Sequence, residues 1–139
     1  MSADVCQPAL PAFDGQIRKR PLAMQNEGTA NAFVTCAFGG AFNGVPSQKT
    51  VTVGFTNNTS AEITVNCTLA DAQAGVINAE YFPKSIAVPP NNAPVALLLW
   101  SAVADNGGVR FTYPAVSCLL PPGVGVQVTN HTYDEEIGS

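Results

Sequence analysis

Apolar side chains in this chain recur at every second position, run after run. Ala32, Val34, Cys36 and Phe38 stand two apart. Val51, Val53 and Phe55 alternate with Thr50, Thr52, Gly54 and Thr56, and Ile63, Val65, Cys67 and Leu69 alternate with Glu62, Thr64, Asn66 and Thr68. Val124, Val126 and Val128 repeat the pattern near the C-terminus. A period of two gives each strand one apolar and one wet face. No stretch sustains the 3.6-residue period of an amphipathic helix. Strands of this kind leave the water by packing their apolar faces together. The pattern therefore predicts an all-β fold, an antiparallel β-sandwich of about eight strands with Ig-like or jelly-roll architecture; a closed barrel is the alternative.

With 139 residues the chain reads as a single domain, 1–139, in which 1–15 form an extended lead-in. No internal repeat or linker stands out. Residues 16–24 carry Arg18, Lys19 and Arg20 before Pro21 and read as an edge strand. Ala70–Gly75 is the best place for a short helical turn. A weaker extended stretch over 76–88 is expected to break at Pro83. Val95–Val103 is apolar on both phases and reads as a central strand covered on both faces. Asp105-Asn106-Gly107-Gly108 is a tight-turn signal. The apolar phase shifts between Tyr113 and Val116, which predicts a β-bulge at Pro114.

Four cysteines, Cys6, Cys36, Cys67 and Cys118, are spread along the chain with no CxxC or CxxH spacing for zinc. An even, well-spaced set in a small domain reads as two disulfides. Three pairings are possible. The preferred one is Cys6–Cys36, pinning the lead-in, with Cys67–Cys118 joining two strands through inward-facing positions. Disulfides require an oxidising compartment, so the expected location is secreted, periplasmic or at the cell surface. The sequence starts without a basic and apolar leader, which fits a mature chain whose signal peptide has been removed.

Charged residues make up only 12% of the chain, about half the usual share, and the net charge is −4. This excludes a disordered tail and gives no basic field for nucleic acid. The longest apolar run is far too short to span a membrane. No HExxH, GxSxG or phosphate-cradling loop occurs, and His131 is the sole histidine. No catalytic residue, metal or cofactor is assigned.

The candidate binding residues are Arg18, Lys19, Arg20, Tyr81 and Phe82. The basic cluster either grips an anionic glycan or protects an exposed edge from sheet-to-sheet pairing. Tyr81 and Phe82 fall on opposite phases, so one of the two rings is expected in solvent. Trp100 reads as core. Asp71, Glu80 and Asp105 are the carboxylates a glycan hydrolase would use, although turn chemistry accounts for Asp71 and Asp105 equally well. Asp134, Glu135 and Glu136 read as a solvated acidic tail that calcium would be the cation to suit. Asn57, Asn58, Asn66 and Asn130 open Asn-x-Ser/Thr triplets. The function expected from the residues is non-enzymatic binding or a structural role, with a glycan, a protein or a second copy as partner. A small carboxylate-based hydrolase, or an inhibitor presenting loop 89–94, is the alternative.

The runs Phe33-Val-Thr-Cys36, Val65-Asn-Cys67-Thr-Leu69 and Val116-Ser-Cys118-Leu-Leu-Pro-Pro122, with the ending Tyr133-Asp-Glu-Glu-Ile-Gly138, resemble a group of uncharacterised secreted four-cysteine β-sandwich proteins of Gram-negative bacteria. The resemblance implies secretion and a sandwich. It supplies no ligand and no catalytic residue.

Overall fold

Alternation along the strands is realised as two five-stranded antiparallel sheets in the computed structural model, which describes residues 6–13, 15–19, 23–38, 48–72, 79–93 and 95–133. The strands are β1 (Cys6–Pro8), β2 (Ile17–Lys19), β3 (Met24–Asn26), β4 (Ala32–Ala37), β5 (Gln48–Asn57), β6 (Ile63–Ala72), β7 (Ala79–Val88), β8 (Ala96–Ser101), β9 (Pro114–Leu120) and β10 (Val124–Tyr133). The first sheet has the order β1-β4-β9-β6-β7 and the second β2-β3-β10-β5-β8. Between the sheets lie Trp100, Phe55, Phe111, Met24, Leu69 and Leu120, all fully buried, with the valines of β4, β5 and β6. Phe55, Phe111, Leu69, Leu120 and the valines lie on the apolar phases read from the sequence, whereas Val109 and Tyr113, on the same phase as Phe111, are exposed. The only α-helix among the described residues is the single turn α1 (Ala102–Asp105), and none is long and apolar enough to cross a membrane.

Both disulfides form as preferred from the sequence. Cys6 faces Cys36 across β1 and β4, and Cys67 faces Cys118 across β6 and β9. Each joins directly opposed residues of neighbouring strands on the core side of the first sheet. They are lateral staples within one sheet and do not bridge the two sheets.

Several local expectations are corrected. Ala70–Ala72 continue β6 and are not helical; 73–75 lie outside the described residues. Pro83 does not break β7, because β7 is an edge strand, where a residue without an N–H is tolerated. The apolar run at Val95 does not give a central strand. β8 is the other sheet's edge on the same side, with Leu98 and Trp100 inward and Leu97 and Leu99 outward, 57% and 46% exposed. Nor is there a bulged strand through Pro114. Residues 109–113 carry the chain from the second sheet, where Phe111 bridges Gln48, to the first. The buried Asp71 fixes this crossing by accepting the backbone N–H groups of Thr112 (2.9 Å) and Tyr113 (2.8 Å). The register shifts instead in β10, between Val126 and Val128 and again between Thr132 and Tyr133.

An internal repeat, not apparent in the sequence, emerges from the hydrogen bonds of two buried asparagines. Asn26 ends β3 and Asn57 ends β5. The Asn26 amide donates to Ala30 O (2.8 Å) and Leu120 O (2.8 Å), and its Oδ1 accepts from Gly28 N–H (3.0 Å). The Asn57 amide donates to Ala61 O (2.7 Å) and Val88 O (3.2 Å), and its Oδ1 accepts from Thr59 N–H (2.9 Å). Their own carbonyls accept from Gly123 N–H and Asn92 N–H, each just beyond a Pro-Pro pair, Pro121-Pro122 and Pro89-Pro90. Each asparagine stands ten residues before a cysteine, Cys36 or Cys67. The units are thus β3-β4 with β9-β10 and β5-β6 with β7-β8, side by side in both sheets. The second unit is inserted between the halves of the first, so no tandem period reaches the sequence.

Candidate functional site

Along β6 and β7 the register runs without a shift, so each residue's face is fixed. The outward phase of the first sheet comprises Gln7 on β1, Phe33, Thr35 and Ala37 on β4, and Ala115, Ser117 and Leu119 on β9. It continues with Thr64, Asn66, Thr68, Ala70 and Ala72 on β6 and Ala79, Tyr81, Pro83, Ser85 and Ala87 on β7. None of these side chains is charged. The charged residues of the same strands, Asp71, Glu80 and Lys84, all fall on the other phase.

The register assembles the face in rows. Phe33, Leu119, Asn66 and Ser85 form one, and Ser85 Oγ bonds Asn66 Oδ1. Thr35, Ser117, Thr68 and Pro83 form the next, and Ala37, Ala115, Ala70 and Tyr81 another. Small residues in the middle and large ones at opposite corners leave an open trough of about 460 Å³. Tyr81 is 69% exposed and Phe33 43%. Both rings therefore stand in solvent above a floor of smaller side chains.

The structure separates the residues singled out in the sequence. Tyr81 stands at the trough, whereas Phe82 turns inward and meets Phe111 edge to face, with centroids 5.6 Å apart. Arg18 and Lys19 lie on β2, the second sheet's edge on the side away from β7, so they are not brought to Tyr81. Arg18 pairs loosely with Glu27 at 3.8 Å. Arg20 and the tail residues Asp134, Glu135 and Glu136 lie outside the described residues. β10, the strand before that tail, is central in its sheet. His131 stands opposite Val51 in β10.

Asp71 and Glu80 are opposed in register, but the Asp71 carboxylate is buried against the backbone of Thr112 and Tyr113. In the 89–94 loop, of which residue 94 lies outside the described residues, Asn91 and Asn92 donate backbone N–H bonds to Thr59 O and Asn57 O. Among the triplets, Asn57 has its amide buried and committed, while Asn58 and Asn66 are exposed.

Where β7 and β8 meet, Lys84 closes the edge. Its Nζ lies 2.8 Å from Asp105 Oδ1 and donates to Leu99 O at 2.8 Å, while Ser101 N–H donates to Asp105 at 2.7 Å. Trp100 Nε1 reaches across to Phe82 O at 2.9 Å. Burial raises the Asp105 pKa, but the hydrogen bonds from Lys84 and Ser101 and the Lys84 charge outweigh it, and the net shift is downward from 3.8. A pKa lowered by folding stabilises the fold above the unfolded value, and that contribution disappears as pH falls through the folded value. Asp105→Ala is therefore expected to lower stability by about 1–2 kcal/mol at pH 7. Urea titrations of both proteins should show the difference shrinking below about pH 4.

Trough residues Phe33, Thr35, Thr68, Ser117 and Leu119 were not singled out in the sequence. A partial signal existed in the wet phases of β4, β6 and β9, which carry no charge within the strands, although Glu62 shares that phase just before β6. Comparison of the chain with protein-family models, with curated proteins and with solved structures returns no match.

Proposed function

We propose that this is an exported, non-enzymatic binding protein whose contact surface is the outer face of the first sheet. The absence of charge from that whole five-stranded face carries the proposal. A sheet face that serves only to meet water is normally studded with charged side chains. Here all of them have been kept to the other phase, around an aromatic ring that solvent surrounds. Two disulfides support export to an oxidising compartment. The hydrolase alternative is weakened by the use of Asp71 to hold backbone and of Asp105 to hold Lys84.

An uncharged contact surface has a distinctive salt response. Purified protein is expected to be retained on envelope or extracellular material of the cell that makes it, equally at 0.05 M and 0.5 M NaCl. Screening over a few ångströms removes attraction between exposed charges and leaves uncharged contacts in place. Absence of retention, or release by salt, would overturn the proposal; release by salt would move the contact to Arg18 and Lys19.

A further inference from the structure

We propose that the ligand of this face is a neutral oligosaccharide lying diagonally across it from Phe33 to Tyr81, an inference that rests on the face being the contact surface. Phe33 is on β4 and Tyr81 on β7, three strands away. Ser85 ends the row that starts at Phe33, and Tyr81 stands four residues before it. At about 4.8 Å per strand and 3.4 Å per residue, the two Cα positions are about 20 Å apart. The floor between them is Ala and Ser of β9 and Ala and Thr of β6, so the rings rise above it as two walls. The span is that of a chain several sugar units long.

Chemistry selects the class. An anionic or cationic ligand would bring unpaired charge onto a floor with nothing to neutralise it, which is unfavourable. A wholly apolar partner would strip water from the Thr35, Thr68 and Ser117 hydroxyls and the Asn66 amide without replacing their hydrogen bonds. A neutral sugar meets both demands. Its C–H faces cover the Tyr81 and Phe33 rings, while its hydroxyls exchange hydrogen bonds with the hydroxyls and amide between them.

The test is an NMR titration of the ¹⁵N-labelled, disulfide-intact protein. The probes are linear tetrasaccharides of glucose, of mannose and of N-acetylglucosamine, with tetragalacturonate as the charged counterpart. Saturable shifts of the Thr35, Thr68, Ser117 and Tyr81 amides are expected with at least one neutral probe, and none with tetragalacturonate. Tyr81→Ala should weaken binding more than tenfold and Tyr81→Phe should retain most of it, both with unchanged spectra elsewhere. Shifts on this face from tetragalacturonate alone would overturn neutrality and leave the face standing. If no saccharide moves these amides but solubilised envelope material does, the sugar class is wrong and the face is right. If neither moves them, both are overturned.

Discussion

Replacing Cys67 and Cys118 together by alanine is expected to destabilise the protein by about 4 kcal/mol, the value the chain-entropy model gives for a closed loop of this length. The staple joins residues 51 apart in sequence and lies between two interior strands of the first sheet. Removing Cys6 and Cys36 releases a loop of 30 residues ending on the three-residue edge strand β1, and its expected effect is somewhat smaller, about 3–4 kcal/mol. Against a total of about 5–15 kcal/mol for an ordinary domain, either loss is large. Thermal melts should fall by roughly 10–15 °C for the Cys67/Cys118 pair. Reduction of both bonds should leave a substantial unfolded population at 37 °C. A shift under about 3 °C would show that packing and the backbone ladder hold β6 to β9 without the disulfide.

The second large effect is expected at the asparagine corners. Asn57→Asp keeps the size of the side chain and the acceptor for Thr59, but removes the amide that serves Ala61 O and Val88 O. It also sets a carboxylate oxygen against the Ala61 carbonyl and the buried Val88 carbonyl. A loss of about 3 kcal/mol is expected in urea denaturation. Asn26→Asp should lose a similar amount, because Asn26 makes the corresponding bonds to Ala30 O and Leu120 O. Asn58→Asp, one residue away and exposed, should change stability by less than about 0.5 kcal/mol. Equal responses at Asn57 and Asn58 would contradict the repeat.

Legibility in the sequence followed how local each feature is. Strand faces were readable because the pleat converts spacing into facing: Val34 and Cys36, Val65 and Cys67, Val116 and Cys118 are all buried as their phases require. The inward phases of Cys36, Cys67 and Cys118 leave three pairings open, and the preferred one is the one that forms. Strand order was not readable, and errors in covering came from it. Val95 to Ser101 looks buried on both phases because Leu97 and Leu99 are apolar, yet the strand sits at an edge with those leucines in solvent. Pro83 reads as an interruption because nothing local shows that β7 is an edge. The repeat escaped because its halves are nested and the bonds that define it join residues as far apart as Asn26 and Leu120. For the site, Tyr81 reads from the sequence as an aromatic candidate, but the trough exists only once β4, β9, β6 and β7 stand side by side in register. Until then, the threonines and alanines between the two rings were indistinguishable from any other wet strand face.

The outward positions of the two sheets offer a matched comparison. Thr68 lies in the middle of the first sheet's outer face and Thr52 in the outward phase of β5 in the second, opposite Leu99. Arginine at either position points into solvent and should leave stability nearly unchanged. The decisive measurement is retention of wild type, Thr68→Arg and Thr52→Arg on the same envelope or extracellular material at one salt concentration. The outer face of the first sheet, if it is the contact surface, predicts that Thr68→Arg loses at least tenfold in affinity while Thr52→Arg binds like wild type. Undiminished binding by Thr68→Arg, or a loss confined to Thr52→Arg, would contradict it.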